Sequence, residues 1–184
     1  MTGRALITTA LLLALGALAL WGMSRGWHRR GDRTATEVPD LAPVPPEGTG
    51  PGTRGAPTTP AMDATYVSST RAGDWLDRVV AHDLGVRSAV AVQVFERGVL
   101  LARRGARDVW IGAEALRGVG TTSGMAGKYV GGDGIVVLTW APEGDERGLD
   151  TGVRARRAAD RTRLVEAART LIDPASSATQ KEQS

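Results

Sequence analysis

The chain has 184 residues, a formal net charge of +3 and no cysteine. The lack of cysteine excludes disulfide bonds, thiolate catalysis and cysteine-ligated metal sites. Most of the charge lies at the N-terminus, because residues 1–30 carry +4 whereas residues 63–173 carry only +1. A nucleic-acid-binding domain is expected to have a concentrated basic surface of its own, so nucleic acid is not an expected partner.

An uncharged apolar run follows a short N-terminal segment, residues 1–4, and extends over residues 5–23. At about 1.5 Å per residue in a helix, this run matches the thickness of a hydrocarbon core, which predicts a transmembrane helix. A cleavable signal peptide is the alternative, but its apolar region is usually about 7 to 15 residues long and ends in small residues. This run continues through Leu20, Trp21 and Met23 into arginines, which favours an uncleaved anchor.

The residues that flank the run predict its orientation. Only Arg4 precedes it, whereas four arginines follow it closely, and this positive-inside bias places the N-terminus outside and the remaining chain in the cytoplasm. The predicted location is therefore the cell membrane, crossed once. Tryptophans at the inner end suit the bilayer interface. The predicted orienting residues are Trp21, Arg25, Trp27, Arg29, Arg30 and Arg33.

Residues 24–62 are predicted to form a basic juxtamembrane segment and a disordered linker. Seven prolines lie between residues 39 and 60, among glycine, threonine and glutamate. Such a composition buries little apolar surface, so this segment is expected to act as a tether that holds the next domain tens of ångströms from the bilayer. A polyproline II ligand for a proline-recognition domain, at residues 42–46, is the minor alternative.

Residues 63–173 are predicted to form a single domain that begins with antiparallel strands. Valines alternate with smaller or polar residues over residues 88–95, which predicts a half-buried strand. A tight turn at residues 96–98 then leads to a strand at residues 99–103. Further strands are predicted at residues 66–70, 109–111, 115–120, 127–130, 135–140 and 149–153, with a helical turn within residues 75–84.

The hydrophobic period changes near the C-terminus. Leu164, Val165, Ala168 and Leu171 recur at helical spacing, which predicts an amphipathic helix from about residue 158 to Pro174, where proline prevents continuation. Residues 174–184 are predicted to be a disordered tail. Antiparallel strands followed by one helix predict a mainly β fold, a bent sheet or open barrel capped by the C-terminal α-helix. This order of elements fits a pleckstrin-homology-like (PH-like) barrel.

Five short segments are similar to those of a known family. They are residues 73–79 (GDWLDRV), 97–101 (RGVLL), 124–128 (GMAGK), 149–152 (LDTG) and 156–160 (RRAAD). On these segments the chain resembles a family of actinobacterial single-pass membrane proteins with a cytoplasmic PH-like domain. The resemblance implies genes that often lie beside those for pyrimidine synthesis and carbamoyl phosphate synthase, which makes a pyrimidine-synthesis enzyme a candidate partner. A transporter role is disfavoured, because one spanning helix offers no inverted repeat.

No catalytic signature or cofactor motif is found. Residues 124–129 superficially resemble a phosphate-binding loop, but Thr122 stands where the first glycine is needed and Tyr129 replaces the magnesium-binding serine or threonine. These residues are instead predicted to form a turn between strands. The only histidines, His28 and His82, do not form a two-histidine metal motif. The chain is therefore predicted to bind rather than catalyse, without a cofactor or a metal.

Two binding hypotheses remain. The preferred one is a protein-interaction module that uses a sheet edge or the groove beside the last helix, with arginines that steer an acidic partner. The alternative is recognition of anionic lipid headgroups at the inner leaflet, although residues 71–78 interleave two acids with two arginines. The predicted binding residues are Arg103, Arg104, Lys128, Arg154, Arg156, Arg157 and Arg161. Ordinary solvated surface charge would also explain these arginines. Trp75, Trp110 and Trp140 are expected to lie in the core.

Overall fold

The computed structural model describes residues 13, 15–18, 38–129, 131, 132 and 134–173. The predicted transmembrane helix at residues 5–23 falls mostly outside these residues. All of its predicted orienting arginines and tryptophans fall outside them, as do the predicted juxtamembrane segment up to residue 37 and the predicted tail, residues 174–184. Among the residues that are described, no helix is both long and apolar enough to cross a membrane.

The domain is mainly β, as predicted, with one α-helix at its C-terminal end. Strands β2 and β8 and the helix have the bounds that periodicity predicts. The strands are β1 (Met62–Arg71), β2 (Ser88–Phe95), β3 (Gly98–Arg103), β4 (Val109–Gly112), β5 (Leu116–Thr122), β6 (Gly124–Met125), β7 (Lys128–Tyr129), β8 (Ile135–Trp140) and β9 (Leu149–Ala155). A 3₁₀ turn (Ala81–Asp83) precedes β2, and helix α1 (Ala158–Ile172) follows β9.

Seven strands form one curled antiparallel sheet in the order β4-β3-β2-β1-β9-β8-β5. Two meanders, β1 to β4 and β5 to β9, are joined through the pairing of β1 with β9. Helix α1 packs mainly on β5 and also contacts β2, β3, β8 and β9. The expectation of a bent sheet capped by a helix is therefore confirmed.

Three local predictions differ from the structure. Strand β1 begins at Met62 rather than residue 66, because residues 62–65 pair with residues 89–92 of β2. The predicted strand at residues 127–130 is one arm of the β6–β7 hairpin, whose turn residues Ala126 and Gly127 both have positive φ. The predicted helical turn within residues 75–84 is reduced to Ala81–Asp83, because the loop before it is folded by side-chain hydrogen bonds.

The core lies on the concave face of the sheet. Strand β2 points Val90, Val92 and Val94 into it and turns its alternate residues outward. Trp140 is buried there, as predicted, whereas Trp110 is buried in a separate cluster with Phe95 and Leu100. The prediction for Trp75 is wrong, because its side chain is exposed in the loop after β1.

A chain of buried hydrogen bonds crosses this core. Trp140 Nε1 donates to Thr151 Oγ1 at 2.8 Å, and the Thr151 and Ser69 hydroxyl oxygens are 2.7 Å apart. The Tyr66 hydroxyl lies 2.7 Å from Ser69 Oγ and donates to the Leu84 carbonyl at 3.0 Å. Each hydroxyl can therefore accept one hydrogen bond and donate another, which satisfies buried polar groups that would otherwise be costly.

The buried Tyr66 phenol makes the stability of the domain sensitive to alkaline pH. Burial raises the pKa of Tyr66 from 10.0 to about 12. The folded state thus holds the phenolic proton more tightly than the unfolded state does. We expect stability to be retained below pH 10 and then to fall by about 2 to 3 kcal/mol as pH rises through 12.

This expectation can be measured in a Tyr129→Phe background, where Tyr66 is the sole remaining tyrosine. Ultraviolet absorbance then follows the Tyr66 phenolate alone, and denaturant unfolding at each pH gives the free energy of unfolding. A phenolate transition centred at pH 10 in the folded protein would contradict the burial argument.

The prediction of a disordered linker over residues 24–62 is wrong for residues 38–61. Val38 is buried in the core, and its carbonyl lies 3.3 Å from Nε2 of His82. Farther along, the Thr59 hydroxyl accepts a hydrogen bond from the Val94 backbone N–H at 3.0 Å. Gln93 Nε2 donates to the Thr59 carbonyl at 3.1 Å. The segment is therefore a part of the domain.

Two arginines hold the middle of this segment. The Arg97 guanidinium, in the β2–β3 turn, donates to the carbonyls of Gly50, Thr49 and Thr53. The Arg54 guanidinium lies over the Phe95 ring, 5.2 Å from its centroid. These contacts supply hydrogen-bond donors to the carbonyls of the proline-rich segment, although the segment does not form a regular strand.

Candidate functional site

A groove of about 820 Å³ lies on the outer face of the sheet, near the start of β1. Its floor is built from Thr65, Ala89, Ala91 and Ala102, which project from three neighbouring strands. The alternation that buries the valines of β2 turns Ala89 and Ala91 outward, and Ala102 pairs with Ala91 on β3. Because their side chains are short, the outer face is hollow at this place.

Three exposed arginines stand around the floor. Arg104 follows β3, Arg154 lies on β9 opposite Thr65, and Arg156 follows β9. The Arg104 backbone N–H donates to the Ala89 carbonyl at 2.9 Å, and that of Arg156 donates to the Asp63 carbonyl at 3.0 Å. The sheet therefore fixes the positions from which these side chains start.

The charges of these arginines are available to a ligand. None of these three guanidinium groups forms an ion pair with another residue that the structure describes. Asp63 and Asp108 also line the groove, so it carries both signs of charge with an excess of positive charge. We call this surface, lined by Asp63, Thr65, Ala89, Ala91, Ala102, Arg104, Asp108, Arg154 and Arg156, the basic groove.

The structure gives Arg103 a different environment from Arg104. Its guanidinium donates to the carbonyls of Asp83 at 2.9 Å and Val86 at 2.6 Å, and to Ser88 Oγ at 3.1 Å. It also lies over the Tyr66 ring, 3.9 Å from the centroid. Burial lowers the pKa of this guanidinium. Arg103 therefore serves the packing of the domain, although it borders the groove.

The other predicted binding residues lie outside the groove lining. Arg157 precedes α1 in an extended conformation, and Arg161 lies in the first turns of the helix. Lys128 is the first residue of β7, in the hairpin near the end of β1. Sequence reasoning thus found the groove arginines but missed the alanine floor, whose signal was the alternation of small residues in β2.

Three of the segments that carry the family resemblance meet at the opposite end of β1. The Gly73 backbone N–H donates to Asp150 Oδ2 at 2.9 Å, and that of Ala126 donates to the Trp75 carbonyl at 2.9 Å. Gly152 lets the β6–β7 hairpin approach the sheet, because a Cβ there would collide with Met125 Sδ. These segments therefore shape the fold around the end of β1.

Among the residues that can be placed, no group of three histidine, cysteine, aspartate or glutamate side chains could hold a metal. His82 faces the Val38 carbonyl, and both His82 and Asp83 have positive φ.

The comparison with family models identifies the domain. A model described as bacterial PH domain-like matches residues 41–169. The chain belongs to this family. The PH-like domain thus includes most of the segment that precedes β1, as its packing on the sheet also indicates. PH-like domains are generally non-catalytic binding modules, which agrees with the groove. A comparison with curated proteins gives no match.

Proposed function

We propose that this protein is a membrane-anchored, non-enzymatic scaffold that presents its PH-like domain to the cytoplasm and binds a protein there. The observation that carries the proposal is the basic groove, with Arg104, Arg154 and Arg156 around an alanine floor. Membership of a PH-like family supports a binding role. The apolar residues 5–23 and the arginines after them support the anchor and its orientation.

The groove fits an extended acidic segment of a partner. The floor of alanines lets a main chain approach closely, while guanidinium groups form bidentate pairs with carboxylates. Asp63 and Asp108 would accept hydrogen bonds from the same segment and favour one register over others. The family resemblance makes a pyrimidine-synthesis enzyme the first partner to seek.

Charge reversal in the groove tests this function in the full-length protein. We expect Arg154→Glu with Arg156→Glu to reduce capture of the partner from native membranes by about tenfold or more. The control, Arg169→Glu, reverses the charge of an exposed residue of α1 outside the groove. Equal loss of the partner in both variants would contradict the proposal.

Anionic lipid headgroups are the alternative ligand of the same arginines. Amide hydrogen exchange of the full-length protein in nanodiscs distinguishes the two ligands. If the groove bound lipid headgroups, phosphatidylserine would protect the amides of residues 63–65 and 154–156 from exchange. We expect no such protection in phosphatidylserine compared with phosphatidylcholine. Protection that disappears at high salt would favour headgroup binding over a protein partner.

A further inference from the structure

The end of the domain near the last residue of β1 exposes three large apolar side chains. Trp75 and Leu76 are 57% and 63% exposed, and Tyr129 at the end of β7 is 79% exposed. The loop and the hairpin are joined, because the Ala126 N–H donates to the Trp75 carbonyl. We call Trp75, Leu76 and Tyr129 the apolar end. An exposed apolar group of this kind marks a surface that is covered in use.

The loop that carries Trp75 and Leu76 is built to hold them outward. Asp74 Oδ1 accepts hydrogen bonds from the backbone N–H groups of Leu76 at 3.1 Å and Asp77 at 3.2 Å. The Asp77 carboxylate in turn pairs with Arg147 at 3.2 Å. Both acids of the loop are therefore already engaged, which lowers the cost of moving the loop into a less polar medium.

The described part of the chain enters the domain beside the β8–β9 loop. Val38 is buried, and the next residue, Pro39, lies against Gly144, where an added Cβ would be 3.8 Å from its Cγ. Gly144 precedes Asp145, which pairs with Arg71, the last residue of β1. Val38 and Pro39 thus contact the 3₁₀ turn and the β8–β9 loop, which lie beside the second half of β1.

The chain between the apolar run and Val38 is short. Only residues 24–37 separate them, and fourteen residues span at most about 50 Å when fully extended. The ordered packing of residues 38–61 therefore shortens the predicted tether by more than half. A short tether keeps the domain at a high effective concentration near the bilayer, so that even a weak contact is populated.

We propose that the apolar end docks into the interfacial layer of the membrane, with Trp75 and Leu76 inserted among the lipids. The inference rests on the proposed anchor at residues 5–23. Indole rings prefer the bilayer interface. The cation of the loop, Arg78, already donates to Ser68 Oγ and to the Gly85 carbonyl, so docking is expected to be independent of lipid charge. The basic groove, at the other end of β1, then faces away from the membrane and towards a soluble partner.

Spin labels can test this docking in the full-length protein, because the natural chain has no cysteine. Three single variants, Leu76→Cys, Ala89→Cys and Leu18→Cys, are labelled and reconstituted into phosphatidylcholine vesicles. Oxygen concentrates in the bilayer, whereas a nickel chelate stays in water. We expect the labels at residues 18 and 76 to favour oxygen and the label at residue 89, in the groove, to favour nickel.

Each other outcome has a distinct meaning. A label at residue 76 that favours nickel, with residue 18 still favouring oxygen, overturns the docking and leaves the anchor intact. Nickel access at residue 18 overturns the anchor itself. A label at residue 76 that is shielded from both reagents indicates a contact with protein, including a second copy of this chain, and also overturns the docking.

A second variant tests the role of the tryptophan. We expect Trp75→Ser to lower the ratio of docked to undocked domain by roughly tenfold, read from the label at residue 76. Val44→Ser removes a partly exposed apolar side chain elsewhere and should leave that ratio unchanged. The same results are expected when phosphatidylserine replaces part of the phosphatidylcholine. An unchanged ratio in Trp75→Ser would contradict the insertion.

Discussion

Replacement of Asp145 by alanine is expected to lower the free energy of unfolding by about 3 to 5 kcal/mol. Asp145 Oδ2 lies 2.6 Å from Arg71 Nη1, and both side chains are only 5% exposed. Alanine would remove the buried carboxylate that pairs with the Arg71 guanidinium, and the Gly148 N–H would lose the Asp145 Oδ1 acceptor at 3.1 Å. The pair therefore holds the β8–β9 loop against the end of β1.

Denaturant unfolding of the full-length protein, followed by circular dichroism, measures this loss. The matched control is Asp77→Ala, because the Asp77–Arg147 pair is 41% and 51% exposed and should contribute less than about 1 kcal/mol. Similar losses in Asp145→Ala and Asp77→Ala would show that burial of the pair is not decisive.

The second large effect is expected at Arg103, where a conservative change to lysine should cost about 2 to 4 kcal/mol of stability. A lysine ammonium is a compact charge on a flexible side chain, and it cannot reproduce the several coplanar N–H donors of a guanidinium. It would fail to reach Asp83, Val86 and Ser88 together while lying flat on Tyr66. The irregular chain before β2 would lose its main attachment.

The neighbouring residue provides the control. Arg104→Lys should change stability by less than about 0.5 kcal/mol, because its exposed side chain has no partner among the described residues. Arg104→Glu should weaken partner capture and leave folding intact. If Arg103→Lys were as stable as the natural protein but lost the partner, Arg103 would be a binding residue, as first predicted from the sequence.

Local periodicity was sufficient to predict much of the fold. Alternation in β2 and the apolar spacing before Pro174 predicted a strand and a helix with the observed bounds. These signals are reliable because each arises from a single element that has one buried face. The curled sheet could be expected from the order of elements, since many short strands followed by one helix need a bent surface to pack on.

The packing of residues 38–61 could not be predicted by the same reasoning. A proline-rich composition indicates little apolar burial, but this segment is held by donors distant in sequence, such as Arg97 and Gln93. The exposure of Trp75 was missed for a similar reason. Residue type favours burial of an indole, whereas the turn closed by Asp74 directs it outward.

The candidate site was only partly predictable. The sequence shows several arginines near β9. These arginines come close to Arg104 only because β1 pairs with both β2 and β9 and so joins the two meanders. The contrast between Arg103 and Arg104 follows from alternation, since adjacent residues at a strand end face opposite sides of the sheet. Identifying which of them faces the core required the structure.

Site-specific photocrosslinking most directly tests the claim that the basic groove binds a protein. A photoreactive amino acid at Ala89 in the groove, or at Arg169 on the exposed face of α1, is introduced into the full-length protein in its native membranes. The account predicts one defined protein adduct from position 89 that is lost with Arg154→Glu and Arg156→Glu, and none from position 169. Adducts only with lipid at position 89, or the same protein adducts from both positions, would contradict it.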